Sequence, residues 1–165
     1  MTAVATEFHI EHELPASAER VWALVVSDEF NAELYARVEV DRELVSEREE
    51  GGVVQRVVRS TSRRKMPGFV RRLLGGDLGF VERIEWRRGE TRLTLAVEPS
   101  IMAKRTHFAS TLEVEALGAE RSRRVFAGSI AVDVPLVGRR IEQGAVRDMR
   151  RIHDLAADLM RERLV

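Results

Sequence analysis

The side chains of this chain best suited to chemistry are four histidines, a glutamate among apolar neighbours and a serine in a hydrophobic strand. Cys is absent, which excludes thiolate nucleophiles, disulfides, zinc ribbons and iron–sulfur sites. His9 and His12 stand three apart in an alternating segment, so they fall on opposite faces of a strand and cannot chelate one ion together. His12-Glu13 lacks the second histidine of H-E-x-x-H, His107 falls on a polar face, and His153 follows Ile152 in a helical pattern. No metal site is expected. His12 lies on the apolar side of its strand and is the first choice for a polar group inside a cavity, as a general base or as a hydrogen-bonded core histidine. Glu82 shares a strand face with Phe80, Ile84 and Trp86. Buried there it would be a carboxyl of raised pKa able to act as acid or base; the alternative is a strand glutamate paired with one of the many arginines. Ser110, between Phe108 and Leu112, is placed to hydrogen-bond a ligand head group but lacks the G-x-S-x-G elbow of a hydrolase. Gly75-Gly76-Asp77-Leu78-Gly79 has no phosphate-loop spacing. These readings assign no catalytic residue and no cofactor.

The elements that must position these groups follow from periodicity. Phe8, Ile10, His12 and Leu14 alternate with polar residues as in a half-buried strand that Pro15 ends. Ser17 and Ser27 can each cap a short helix, the first with Val21, Trp22, Leu24 and Val25 on its apolar face and the second with Phe30 and Leu34. Two strands, 38–48 and 53–61, flank Gly51-Gly52, and their pattern does not choose which face points inward. Strand character resumes over Phe80–Trp86, Leu93–Val97, Phe108–Val114 and from Arg123 to about Asp133. Arg121, Arg123 and Arg124 read as part of a hairpin tip beside Glu120. From Val137 to Leu164, Ile141, Ala145, Met149, Ile152, Ala156 and Leu159 recur on one face of a long amphipathic helix. Strands followed by a terminal helix make an α+β architecture, a curved antiparallel sheet of about seven strands covered by that helix. One domain spans residues 1–165.

The opening His12-Glu13-Leu14-Pro15-Ala16-Ser17-Ala18-Glu19-Arg20-Val21-Trp22 resembles the first strand and helix start of the helix-grip fold, the START/Bet v 1-like (SRPBCC) superfamily. Met66–Asp77 and Val134–Glu142 are similar to segments of a bacterial family within it, DUF2505. The resemblance implies the fold and, between sheet and C-terminal helix, a hydrophobic cavity; it carries over no functional residue.

On this reading the cavity is lined by Trp86, Ile84, Leu95, Phe108, Ser110, Leu112, Met149, Ile152 and Ala156, with His12 and Glu82 as its polar groups. Small residues, Gly144, Ala145, Ala156 and Ala157 on the helix and Ala127, Gly128, Ser129 and Ala131 on the last strand, leave room for it; a filled core is the alternative. Met66, Phe69, Val70, Leu73 and Leu74, set between Arg64-Lys65 and Arg71-Arg72, suit a lid or a peripheral contact with anionic lipid, or else an insertion helix packed on the sheet edge. With 27 cationic and 27 acidic residues the net charge is zero, and 9 aromatics (2 Trp, 1 Tyr, 6 Phe) offer few stacking platforms, so nucleic-acid binding is not expected. Met1 to His9 has no apolar run of a signal peptide and no stretch approaches a membrane span, which suggests the cytoplasm. The expected activity is binding or carriage of a small hydrophobic or lipid-like ligand. The alternatives are a cyclase or dehydratase using the same cavity, and a filled-core module that meets a membrane or protein partner.

Overall fold

A computed structural model describes residues 4–64, 68, 71–72 and 78–165. The lid candidates Met66, Phe69, Val70, Leu73 and Leu74 lie outside the described residues.

β1 (Thr6–Leu14) buries Phe8, Ile10 and Leu14 on alternate positions. Pro15 removes the next ladder donor, and Ser17 accepts a hydrogen bond from the Arg20 N–H at 3.3 Å to open α1 (Ala18–Val25). Ser27 repeats the cap with the Phe30 N–H at 3.2 Å and starts α2 (Asp28–Arg37), which buries Phe30 and Leu34 one turn apart. The chain then runs through β2 (Val40–Glu50), β3 (Val53–Ser62), β4 (Gly79–Arg87), β5 (Arg92–Pro99), a 3-10 turn at Ala103–Arg105, β6 (Thr106–Gly118) and β7 (Arg121–Val132). It ends in α3 (Gly138–Leu164), whose 27 residues extend about 40 Å at 1.5 Å per residue.

The sheet has seven strands in the order β1-β7-β6-β5-β4-β3-β2, with every neighbouring pair antiparallel. Strand number and C-terminal helix match the expected architecture. β2 is an outer edge, mostly exposed and broken by a bulge between Leu44 and Ser46, so one alternation pattern does not run through it. Its acids face arginines: Asp41 with Arg63, Glu43 with Arg59, Glu47 with Arg56 and Glu49 with Arg88.

Two glycines set the curvature and the seating of α3. A Cβ at Gly128 would lie 2.2 Å from the Ala109 carbonyl oxygen, so only glycine lets β7 approach β6 this closely. A Cβ at Gly138 would lie 2.1 Å from the Val132 oxygen, where α3 starts against the end of β7. Just beyond, buried Glu142 accepts hydrogen bonds from the Thr6 hydroxyl (2.5 Å) and the Val132 N–H (2.9 Å), tying the helix to both strands. Glu142→Gln keeps the shape but exchanges a charge-assisted acceptor for a neutral one, and a loss of about 1 kcal/mol in urea unfolding is expected. An unchanged midpoint would mean that the carboxylate adds nothing beyond its shape.

The interior divides in two. Leu14, Ala16, Val21, Phe30, Leu34, Val114, Ala156, Ala157, Leu159, Met160 and Leu164 form a closed core where the C-terminal half of α3 meets α1, α2 and the near ends of β1 and β6. Phe8, Ile10, Val54, Trp86, Leu93, Leu112 and Phe126 form a second cluster on the inward face of the sheet, and the side chains packed against it are only partly buried. No helix of the described residues is long and apolar enough to cross a membrane.

Candidate functional site

Strand register decides which side chains reach the interior. His12 on β1 pairs with Arg124 on β7, Arg124 with Val114 on β6, and Phe126 with Ile10 and Leu112. All of these point inward with the even-numbered residues of β7. Arg124 therefore does not belong with the solvated tip arginines. Arg121 and Arg123 pair with Glu13 at the surface, whereas Arg124 is 4% exposed. The reason is parity: counting back from Phe126 and Ile130 places position 124 on the buried face.

Around Arg124 the interior is polar. His12 Nε2 lies 2.7 Å from Asp154 Oδ1; the carboxylate accepts, so Nε2 carries the hydrogen and Nδ1 is buried without a partner. The His153 ring stacks on Phe126 with centroids 3.9 Å apart, and its Nδ1 is also unpaired. Burial, with the nearby charges of Arg124 and His12, holds His153 well below its ordinary 6.5, so it is neutral at pH 7. Burial also lowers Arg124, to about 10, and it stays protonated. Tyr35 of α2 is pushed above its ordinary 10 by burial, against the pull of Arg42, and stays a neutral phenol. Arg42 covers the Tyr35 ring at 4.1 Å and donates to Glu82 through Nε (3.2 Å) and Nη2 (3.1 Å). Of the two readings of Glu82, the arginine-paired one describes this geometry.

The apolar wall of this interior is unevenly covered. Trp86 and Leu112 are buried, while Ile84, Leu95, Phe108, Met149 and Ile152 remain part-exposed although they face inward or lie on the sheet-facing side of α3. The helix packs chiefly on β1 and β7, which leaves the inward face of β3 to β5 less covered. Ile84, Leu95, Phe108 and Met149 thus come together around the second cluster, with Phe8 stacked on Phe108 at 5.7 Å. Ala156 does not join them, because it is fully buried in the closed core. Ser110 is committed to the sheet: its hydroxyl donates to the Leu95 carbonyl at 3.1 Å. His9 and His107 are exposed, and no group of metal-ligating side chains occurs among the described residues.

Two concavities, of about 770 and 400 Å³, lie on the other face of the sheet. The larger is walled by outward-facing Gln55, Arg83, Glu85, Thr94, Ala96, Ala109, Thr111 and Ala127; Ile84, Leu95 and Ser110 border it only from behind, since their side chains alternate to the inner face. Sequence reasoning missed this groove, although the run of small residues on alternate positions of β5 to β7 marks it. It also missed Tyr35, Arg42, Arg124 and the burial of His153.

A seven-stranded antiparallel sheet gripping a long C-terminal helix is the START/Bet v 1-like fold. Three solved structures share it: the Zhui aromatase/cyclase from a Streptomyces species (15% identity, TM-score 0.65, covering 96% of this chain and 94% of that one); norcoclaurine synthase from Thalictrum flavum (16%, 0.65, 100% and 99%); and a START superfamily protein from Mycobacterium smegmatis (13%, 0.61, 96% and 96%). At these identities the likeness shows the fold. No curated protein matches the chain. Residues 9–164 match the family described as "Protein of unknown function (DUF2505)", and the chain belongs to that family.

Proposed function

We propose that this protein binds or carries a small hydrophobic or lipid-like molecule between the inward face of the sheet and α3, against Ile84, Leu95, Phe108 and Met149. One observation carries the reading: inward apolar side chains on β4 to β6 and mid-α3 stay part-exposed, while those of the neighbouring core are sealed. Each Å² of apolar surface a ligand removes from water there contributes about 25 cal/mol, an upper bound before the costs of association. Zero net charge agrees with a small-molecule ligand rather than nucleic acid. On the same reading the protein works in the cytoplasm, and the lid role of Met66, Phe69, Val70, Leu73 and Leu74, like contact with anionic lipid, rests on the sequence pattern alone.

A second reading, an enzyme of cyclase or dehydratase type, is favoured by the His12–Asp154 pair at 2.7 Å, which holds one imidazole with a free ring nitrogen on the inward face. An aromatase/cyclase shares the fold, and that fact alone does not transfer its chemistry. A carrier releases its ligand chemically unchanged, so mass spectrometry of bound material before and after incubation separates the readings.

The binding test uses Nile red, a neutral apolar dye. Leu95→Trp fills the inner face and is expected to weaken binding at least tenfold, with unfolding still cooperative. Ala109→Trp fills the outer groove and is expected to leave affinity within twofold. The opposite pattern would move the site to the outer face and overturn the proposal.

A further inference from the structure

Among the described residues the Arg124 guanidinium, which sits in the interior, has no counter-ion. It is 4% exposed, and its Nε and Nη1 are sealed from solvent with no hydrogen-bond partner. Among the described residues no group supplies the missing charge. Tyr35 is a neutral phenol, His153 a neutral imidazole, Asp154 is engaged by His12 and Glu82 by Arg42. No carboxylate of the described residues forms an ion pair with it. Buried polar groups are nearly always hydrogen-bonded, and a buried charge is nearly always paired, because leaving either unmet costs several kcal/mol. Two other arginines of the sheet's inward face, Arg42 and Arg56, each have an acidic partner.

Position adds to chemistry. From Arg124 the next inward side chain along β7 is Phe126, whose ring lies 5.2 Å from Phe8, and Phe8 in turn stacks on Phe108 at 5.7 Å. The unmatched cation therefore stands at the closed end of an aromatic row that leads to part-exposed Phe108, Leu95 and Ile84. A molecule with an apolar body along that row and one anionic end would satisfy both. Guanidinium is the side chain best matched to a carboxylate, through two parallel N–H···O bonds that Nε and an Nη nitrogen can supply together.

We infer that the ligand is an amphipathic organic acid, its carboxylate received by Arg124 and its hydrocarbon part laid along Phe126, Phe8 and Phe108. This rests on the proposed binding function and sharpens it from any apolar molecule to an acid.

The test compares dodecanoate with dodecan-1-ol, which share a chain and differ in the charged head, as competitors of Nile red. In the wild-type protein dodecanoate is expected to bind at least tenfold more tightly than the alcohol. In Arg124→Met the two are expected to bind alike, with the alcohol's affinity kept; Arg124→Lys, which keeps the charge but not the fork, should retain part of the preference. Equal affinities in the wild type, which need no variant to interpret, would overturn carboxylate recognition and leave the apolar site standing. Failure of Nile red and both competitors to bind would overturn the apolar site itself. A preference that persists in Arg124→Met would place the head group elsewhere and also overturn the assignment.

Discussion

Arg124→Met is expected to raise the Tm by about 6–12 °C. The folded protein holds this guanidinium at a pKa of about 10, well below its ordinary value, because burial disfavours its charge. At 1.36 kcal/mol per pKa unit, that is roughly 3 kcal/mol of strain at neutral pH, undiscounted because the group is almost wholly buried. Methionine fills a similar volume with a flexible apolar chain and removes the charge and its unpaired N–H groups. In a domain of this size each kcal/mol moves Tm by about 2–4 °C. Differential scanning calorimetry reads the change directly. A lowered Tm would show that the guanidinium is stabilised by its surroundings. Groups that cost a fold stability are often ones that function uses, the usual exchange between stability and activity.

The second large effect is with pH. Lowering pH from 7 to 5 is expected to destabilise the wild-type protein through His153 alone. Its folded pKa lies well below 6.5, so between 6.5 and that folded value the unfolded chain binds a proton that the folded chain refuses. Stability therefore falls as pH falls through this window and is fully present above it. Burial is the main cause, and the charges of Arg124 and His12 facing the ring add to it. His153→Phe keeps an aromatic ring on Phe126 and removes the proton site. Urea titrations at pH 7 and 5 should then differ less in the variant than in the wild type. Parallel pH dependence in the two proteins would mean that His153 takes up its proton in the folded state.

These two residues show what the sequence makes legible and what it does not. The α3 face from Ile141 to Leu159, the capped short helices and the seven strands follow from periodicity, because apolar spacing and local caps are written into neighbouring residues. Arg124 was legible in principle, since it shares parity with Phe126 and Ile130, yet its neighbours Arg121 and Arg123 make the segment read as a charged tip. Its isolation is a different matter. It depends on β1 and β7 pairing in the register that sets His12 beside it, and on α3 laying His153 over Phe126, which are contacts between residues far apart in the chain. In β2 the obstacle is geometric: the bulge between Leu44 and Ser46 reverses the in–out alternation halfway along, so no single pattern could mark its inner face. Ser110 and Ala156 were drawn to the cavity by residue type, but a strand carbonyl takes the hydroxyl and the closed core takes the methyl.

The charge arrangement of β2 and β3 also governs what the molecule does to its own copies. Among the described residues no strand pairs with the outer side of β2, and an open strand edge is a template for another strand. Along it Asp41, Glu43, Glu47 and Glu49 meet arginines on β3, just after it, and on the β4–β5 turn. A second β2 laid against this edge would bring acid opposite acid, while the arginines that neutralise them stay behind on the inner strand. The edge is thus legible to its own β3 and repellent to its twin. Self-association through strand addition is opposed by a sequence whose total charge is zero, because the two signs are sorted onto adjacent strands.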